Sequence, residues 1–196
     1  MQITTRDCPP RTVWALEQAG VHPLLARLFA ARGVQAPEEL DDNLVKLLSP
    51  NTLKGIDEAA QILVEAIEQQ AHICIVADYD CDGATACAVG IRGLRMLGSK
   101  NAHYLVPDRV ADGYGLTPGI ASRVKASGAA VLVTVDNGIA SFEGVEKAHE
   151  LGMKVVVTDH HLPAMRDGIV AVPDADAIVN PNQPGCDFAS KTIAGV

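Results

Sequence analysis

A doubly wound α/β domain with a mainly parallel sheet, preceded by a helical leader, is the fold this 196-residue sequence predicts. Three observations carry it. Short apolar runs rich in β-branched residues recur at 73–77, 130–135 and 154–158, and unbroken runs of that kind are strands covered on both faces, as in parallel sheets. Segments with helical apolar spacing separate them. Each run also leads straight into an aspartate, Asp78, Asp136 and Asp159, at the strand ends where open parallel sheets place their ligand crevice.

In chain order, residues 1–55 read as the leader. Leu24, Leu25, Leu28 and Phe29 are spaced to share one helix face, which Gly33 ends. Pro37 starts a second short helix with Leu40, Leu44, Leu47 and Leu48 on its apolar side, and Pro50 and Gly55 close the segment. The α/β domain is expected over 56–196. Asp57 is placed to cap a helix over 59–69 with Ile62, Leu63, Ala66 and Ile67 in its stripe. A strand at 73–77, a helix at 83–97, a strand at 102–106 and a helix at 118–126 come next. Then come a strand at 130–135, a helix at 142–151, a strand at 154–158 and a fifth strand at 177–180.

Composition bounds the function. With 48% hydrophobic and 20% charged residues, the chain can bury a substantial core, and disorder or a disulfide-stapled miniprotein is excluded. No apolar run approaches the ~20 residues of a membrane helix, and the first residues lack the apolar stretch of a signal peptide. Five cysteines without a CxxC pair point to a reducing, cytoplasmic setting rather than a zinc or disulfide framework. The net charge of −8 argues against unspecific polyanion binding over the whole surface. A carboxylate cluster loaded with divalent cations, however, no longer presents its formal charge.

The aspartates are clustered. Asp78, Asp80 and Asp82 fall within five residues after a strand. One of them, or two, would serve as acidic helix-start residues. Three together repel unless a cation joins them, and alternate carboxylates in a turn can converge on one. Asp136-Asn137-Gly138 on its own is good turn chemistry, and His160-His161 on its own could be an exposed loop pair. Their coincidence at one sheet edge makes a site, with Asp159 available to orient an imidazole. Carboxylates with imidazole suit Mn²⁺ or Mg²⁺ better than a structural zinc. Arg109, with Gly113 and Gly115 behind it, follows the second strand into the same crevice. A guanidinium there can grip a phosphate that the glycines let approach the backbone, although the segment alone would also pass as a glycine-rich turn.

DYDCDG at 78–83, VDNG at 135–138 and VTDHH at 157–161 resemble the first three motifs of the DHH phosphoesterases. LLARLFAARGV, PDRVADGYGL and NPNQPGCDFASKTIAG extend the likeness over nearly the whole chain, toward the family's bacterial 5′→3′ exonucleases for single-stranded DNA. Carried over residue by residue, the resemblance implies that Asp80, Asp82, Asp136 and His160 ligate metal. It makes Asp78, Asp159 and His161 catalytic neighbours at the same centre, with His161 polarising the scissile phosphate, and Arg109, Gly113 and Gly115 the place where substrate phosphate is met. A fourth motif with a further carboxylate, a second lobe and an oligonucleotide-binding fold are implied beyond Val196. The 196 residues by themselves are therefore expected to be weakly active or inactive.

The implied reaction is two-metal phosphodiester hydrolysis, the ions ~3.5–4 Å apart, in recombination and repair. The implied partners are single-stranded DNA, a single-strand-binding protein and a helicase, with no membrane. Two rival readings keep the fold: a phosphodiesterase for short oligonucleotides or cyclic dinucleotides, against which the leader and the GYG segment argue, and a non-catalytic interaction module, against which the intact ligand set argues. A receiver-like phospho-acceptor domain also carries acids at strand ends, but has no need of paired histidines.

Overall fold

The computed structural model describes residues 4–195; the first three leader residues and Val196 lie outside the described residues. The chain divides into two compact units, Met1–Leu48 and Ser49–Val196.

In the first unit, α1 (Pro10–Gln18) and α2 (Pro23–Ala31) pack through Leu16, Ala26 and Ala30, with Val13, Phe29 and Leu40 at the margin. Small residues let the two backbones approach. The leucine face expected of α2 is therefore not the buried one, and Leu24, Leu25 and Leu28 are exposed. The helix expected after Pro37 is replaced by two 3₁₀ turns, Pro37–Leu40 and Leu44–Lys46. Asp41 Oδ1 accepts from the Asn43 amide, and Asn43 Oδ1 from the Val45 amide. Such side-chain bonds compete with a continuous helix, and they leave Leu44, Leu47 and Leu48 exposed.

The strands of the second unit are β1 (Ile73–Ala77), β2 (Ala102–Leu105), β3 (Val131–Val135), β4 (Lys154–Thr158), β5 (Ala164–Arg166), β6 (Ile169–Ala171) and β7 (Ala177–Val179). Five of them form one parallel sheet in the order β2-β1-β3-β4-β7. Both faces are covered, as the unbroken apolar strands require. Ile73, Ile75, Val131 and Val133 meet α3 (Ile56–Glu68) and α4 (Cys81–Met96). The alternate residues Cys74, Val76, Leu132 and Val155 meet α5 (Pro118–Ala126) and α6 (Phe142–Glu150). After β1 the chain steps outward to β2, then returns past β1 to β3, so the topological switch point lies between β1 and β3.

The helix starts differ from expectation in instructive ways. Asp57 does not cap α3. Gly55 does, at φ +81°, with its backbone pressed on the Ile178 carbonyl where any Cβ would collide. Asp57 and Glu58 then occupy the first turn, where the helix dipole favours them. α4 begins two residues early because Asp80 is its cap and accepts from the Gly83 amide at 3.0 Å. Between β4 and β7, where no element is expected from sequence, β5 and β6 form an antiparallel hairpin. Asp167 and Gly168, both at positive φ, make its two-residue turn.

Asp176, just before β7, ties the other end of the sheet together. Its Oδ2 accepts from the Val155 amide at 2.7 Å and from His149 Nε2 at 2.9 Å. Burial alone would raise its pKa, but these two partners outweigh burial and hold it below the usual value. Asp176→Ala is therefore expected to lower stability by about 1–3 kcal/mol at neutral pH. A depressed carboxylate stabilises above its unfolded pKa of ~3.9 and ceases to do so as pH falls through the folded value. Urea melts of wild type and variant should accordingly converge in acid; a pH-independent gap would mean that packing, not the charge, is what is lost. No helix among the described residues is long and apolar enough to cross a membrane.

Candidate metal centre

The ends of β1, β3 and β4 deliver three acidic segments to one point at the switch between β1 and β3. Ligand atoms of Asp78, Asp80 and Asp136 lie within 4.8 Å of one another, and so do those of Asp136, His160 and His161. Asp136 belongs to both groups and is the centre of the arrangement. Its backbone takes φ +60°, a conformation that Asp and Asn tolerate better than other side chains. Gly138, two residues on, lies against the Thr134 side chain, where a Cβ would clash. Asn137 is fully buried, and its amide donates to the carbonyls of Val76 and Val135 at 3.1 and 2.9 Å, pinning β1 and β3 together at their ends.

Asp136 is 1% exposed. Burial, and then the charge of Asp80, push its pKa up to about 6 against the pull of the two histidines. Asp80, on the rim, is held below the ordinary carboxylate range, chiefly by the Gly83 amide. Without a cation the Asp80–Asp136 pair thus keeps its charge on the rim and disfavours it inside. Asp136 Oδ1 is buried and has no hydrogen-bond partner, although His160 Nε2 stands 3.0 Å away, off the line a hydrogen bond needs. A buried carboxylate oxygen and an imidazole nitrogen that face each other without a bond could hold a cation between them. Oxygen donors with imidazole, and no thiolate, fit Mn²⁺ or Mg²⁺.

Asp159 is an orienting residue by geometry. Its Oδ1 accepts from the backbone amides of His160 and His161 and, at 2.7 Å, from His161 Nδ1; its Oδ2 accepts from the Ile139 amide. His161 Nε2 is left as the free ring nitrogen. Burial lowers the His161 pKa, but the hydrogen bond and charge of Asp159, with Asp136 and Asp78 behind, raise it overall.

Asp78, Asp80, Asp159 and His161 line one wall of an open cleft of about 690 Å³. The cleft contains two guanidiniums, each over an aromatic ring: Arg109 above Tyr79 at 4.7 Å and Arg166 above Phe142 at 3.6 Å. Neither Gly113 nor Gly115 lines the cleft: Gly115, at φ +73°, faces Ser141 with its α-carbon, between the lining residues Tyr114 and Leu116. Asp82 joins neither convergent group; its Oδ2 accepts from the Gly195 amide at 3.2 Å.

Sequence reasoning misses Arg166 and Phe142, because the hairpin that brings Arg166 into the cleft consists of strands too short to show a period. It also misses Asn180, Asn182 and Lys191. Asn180 Nδ2 donates to the His161 carbonyl at 3.0 Å, and Asn182 Nδ2 to the His160 carbonyl at 2.7 Å. Asn-Pro-Asn at 180–182 signals only a turn, and nothing local says that the turn braces a loop some twenty residues earlier.

The DHH family, N-terminal domain, matches residues 72–196. The chain is 48% identical over 178 residues to the single-stranded-DNA-specific exonuclease RecJ of Salmonella typhimurium, covering 91% of this chain and 30% of that protein. It is 49% identical over 175 residues to that of Haemophilus influenzae, covering 89% and 30%. Among solved structures it is similar to exonuclease RecJ bound to manganese, with a TM-score of 0.65 and 34% identity over 76% of this chain and 36% of the other. The chain spans about 30% of the length of the curated relatives it matches.

Proposed function

The chain belongs to the DHH family, and on that premise we propose that it carries the metal-binding half of a catalytic core that removes nucleotides 5′→3′ from single-stranded DNA. The observation that carries this reading is the buried, unpartnered Asp136 Oδ1 at the meeting point of the two ligand groups. Asp80, Asp136 and His160 would hold the ions, Asp82 would add a ligand through the oxygen that Gly195 leaves free, and Asp78 completes the acidic wall. Mn²⁺ or Mg²⁺ bound there supplies Lewis-acid stabilisation of the phosphate and a water of lowered pKa.

The remaining chemistry belongs to the chain. Asp159 fixes the His161 ring through Nδ1 and favours its protonated form, whose Nε2–H would donate to a non-bridging phosphate oxygen as charge builds on it. Arg109, steadied on Tyr79, grips a phosphate of the strand; Gly113 and Gly115, off the cleft lining, shape the turn that follows it and carries Tyr114 to the cleft. Two guanidiniums and the exposed Tyr114 make the cleft locally suited to a single strand within an acidic chain. The role is trimming of single-stranded ends in recombination and repair, in the cytoplasm, beside a single-strand-binding protein and a helicase. The relatives' names, single-stranded-DNA-specific exonuclease, support the substrate class.

The test is digestion of 5′-labelled single strand, duplex and cyclic dinucleotide with Mn²⁺, by the chain extended through the further length its relatives have. Mononucleotide release from the single strand alone is expected. Turnover of the cyclic dinucleotide in its place would reassign the substrate.

A further inference from the structure

The segment Lys191–Gly195 touches the acidic centre at three points, none of them through a charged side chain. The Ile193 carbonyl lies 2.6 Å from His160 Nδ1. The Gly195 amide donates to Asp82 Oδ2 at 3.2 Å. The Gly195 α-carbon packs so closely on Asp136 that a Cβ there would land on the carboxylate itself. The segment is anchored at its root. Lys191 Nζ donates to the carbonyls of Pro181 and Cys186 at 2.6 and 2.7 Å, and Asn182 Nδ2 bridges the Lys191 and His160 carbonyls.

We infer that this strap is the positioning element of the metal centre: Ile193 sets the tautomer of His160, and Gly195, by lacking a side chain, sets the place of Asp136 and Asp82. The chemistry is direct. A carbonyl oxygen can only accept, so His160 Nδ1 carries the proton that donates to it, and the ring is held with its other nitrogen, Nε2, on the side of Asp136 Oδ1, 3.0 Å away and open to a cation. The Gly195 amide occupies one Asp82 oxygen and leaves the other free. With Asp136 buried and locked at its positive φ, the carboxylate cannot swing away from an added methyl, so either it or the strap must move. The inference rests on the metal reading above.

Gly195→Ala in the full chain is therefore expected to weaken Mn²⁺ binding, measured by calorimetry, by about 10–100-fold, the usual cost of losing an outer partner of a metal ligand. In the metal-free protein, ¹⁵N chemical shifts of the His160 ring should move from the Nδ1–H form toward a tautomer mixture. Lys191→Met, which loosens the root of the strap without touching the carboxylates, should shift both readouts in the same direction and less far. Asp176→Ala, destabilising from the opposite end of the sheet, should leave both unchanged. Wild-type affinity and an unchanged His160 tautomer in Gly195→Ala would overturn the strap's role alone. Failure of the wild type to bind Mn²⁺ would overturn the metal reading and this inference with it.

Discussion

Asp136→Asn is expected to abolish the proposed hydrolysis while making the metal-free protein more stable above pH 6. The two effects have one cause. Asp136 is buried against Asp80, and its folded pKa stands at about 6, against ~3.9 for an unfolded aspartate. Between those values the native state binds more protons than the unfolded one, so stability falls as pH rises through the window and the full penalty is present above it. A shift of that size corresponds to roughly 2–3 kcal/mol. Asparagine keeps the shape, tolerates φ +60° and removes the charge. Thermal melts in EDTA at pH 8 should place the variant above the wild type, with the gap closing as pH falls toward 4. Mn²⁺ at 1,000 times its Kd should reverse the order, because it stabilises the binding-competent wild type by ~4.1 kcal/mol. A variant that melts far below the wild type in EDTA would show that Asp136 is a structural residue rather than a ligand.

The same placement of Asp136 explains why this part of the molecule is legible in sequence. A strand that runs Val-Leu-Val-Thr-Val into aspartate puts a carboxylate at a sheet edge by geometry alone, and three such strands in parallel bring their carboxylates together whatever the loops do. The buried strands are readable for the same reason: covered on both faces, β1 and β3 show unbroken apolar runs. The leader is less legible. Its leucines mark a helix but not the buried face, since α2 meets Leu16 of α1 through Ala26 and Ala30, and the 3₁₀ turns arise from Asx bonds that compete with helix over two or three residues.

Contacts that join distant positions without a charge or a period leave no trace in sequence. Asn182 braces a loop 22 residues earlier, Gly195 meets an aspartate 113 residues earlier, and Ile193 acts through its backbone carbonyl. A main-chain carbonyl has no signature in composition at all. The β5–β6 hairpin is a different case. Asp167-Gly168 is a recognisable two-residue turn, but its flanking strands are three residues each, below the length at which alternation can be distinguished from chance.

Asp159→Asn should separate orientation from ligation. The Asp159 side chain is 1% exposed and receives four donors on two oxygens: the amides of His160, His161 and Ile139, and His161 Nδ1. An asparagine offers one oxygen, so its NH₂ must face at least one N–H that then has no acceptor. Leaving a buried donor unpaired costs about 1–3 kcal/mol, and the melting temperature should fall accordingly. The His161 ring loses the partner that fixes its orientation, and the proposed turnover should drop by roughly 10²–10⁴-fold, the range of a mispositioned acid–base group. Mn²⁺ affinity should change much less, since Asp136 and His160 keep their contacts. The pH dependence gives the signature. His161 is burial-depressed but raised overall by Asp159, so in the variant it should lose its proton at lower pH in an NMR titration run in EDTA. A histidine whose folded pKa is raised stabilises fully below its unfolded value of ~6.5 and stops doing so as pH rises through the folded one. The variant's stability deficit should therefore be greatest below pH ~6.5 and shrink at pH 8 to the unpaired-amide cost. Unchanged turnover, with His161 titrating as in the wild type, would remove Asp159 from the mechanism and leave it a loop-bracing carboxylate.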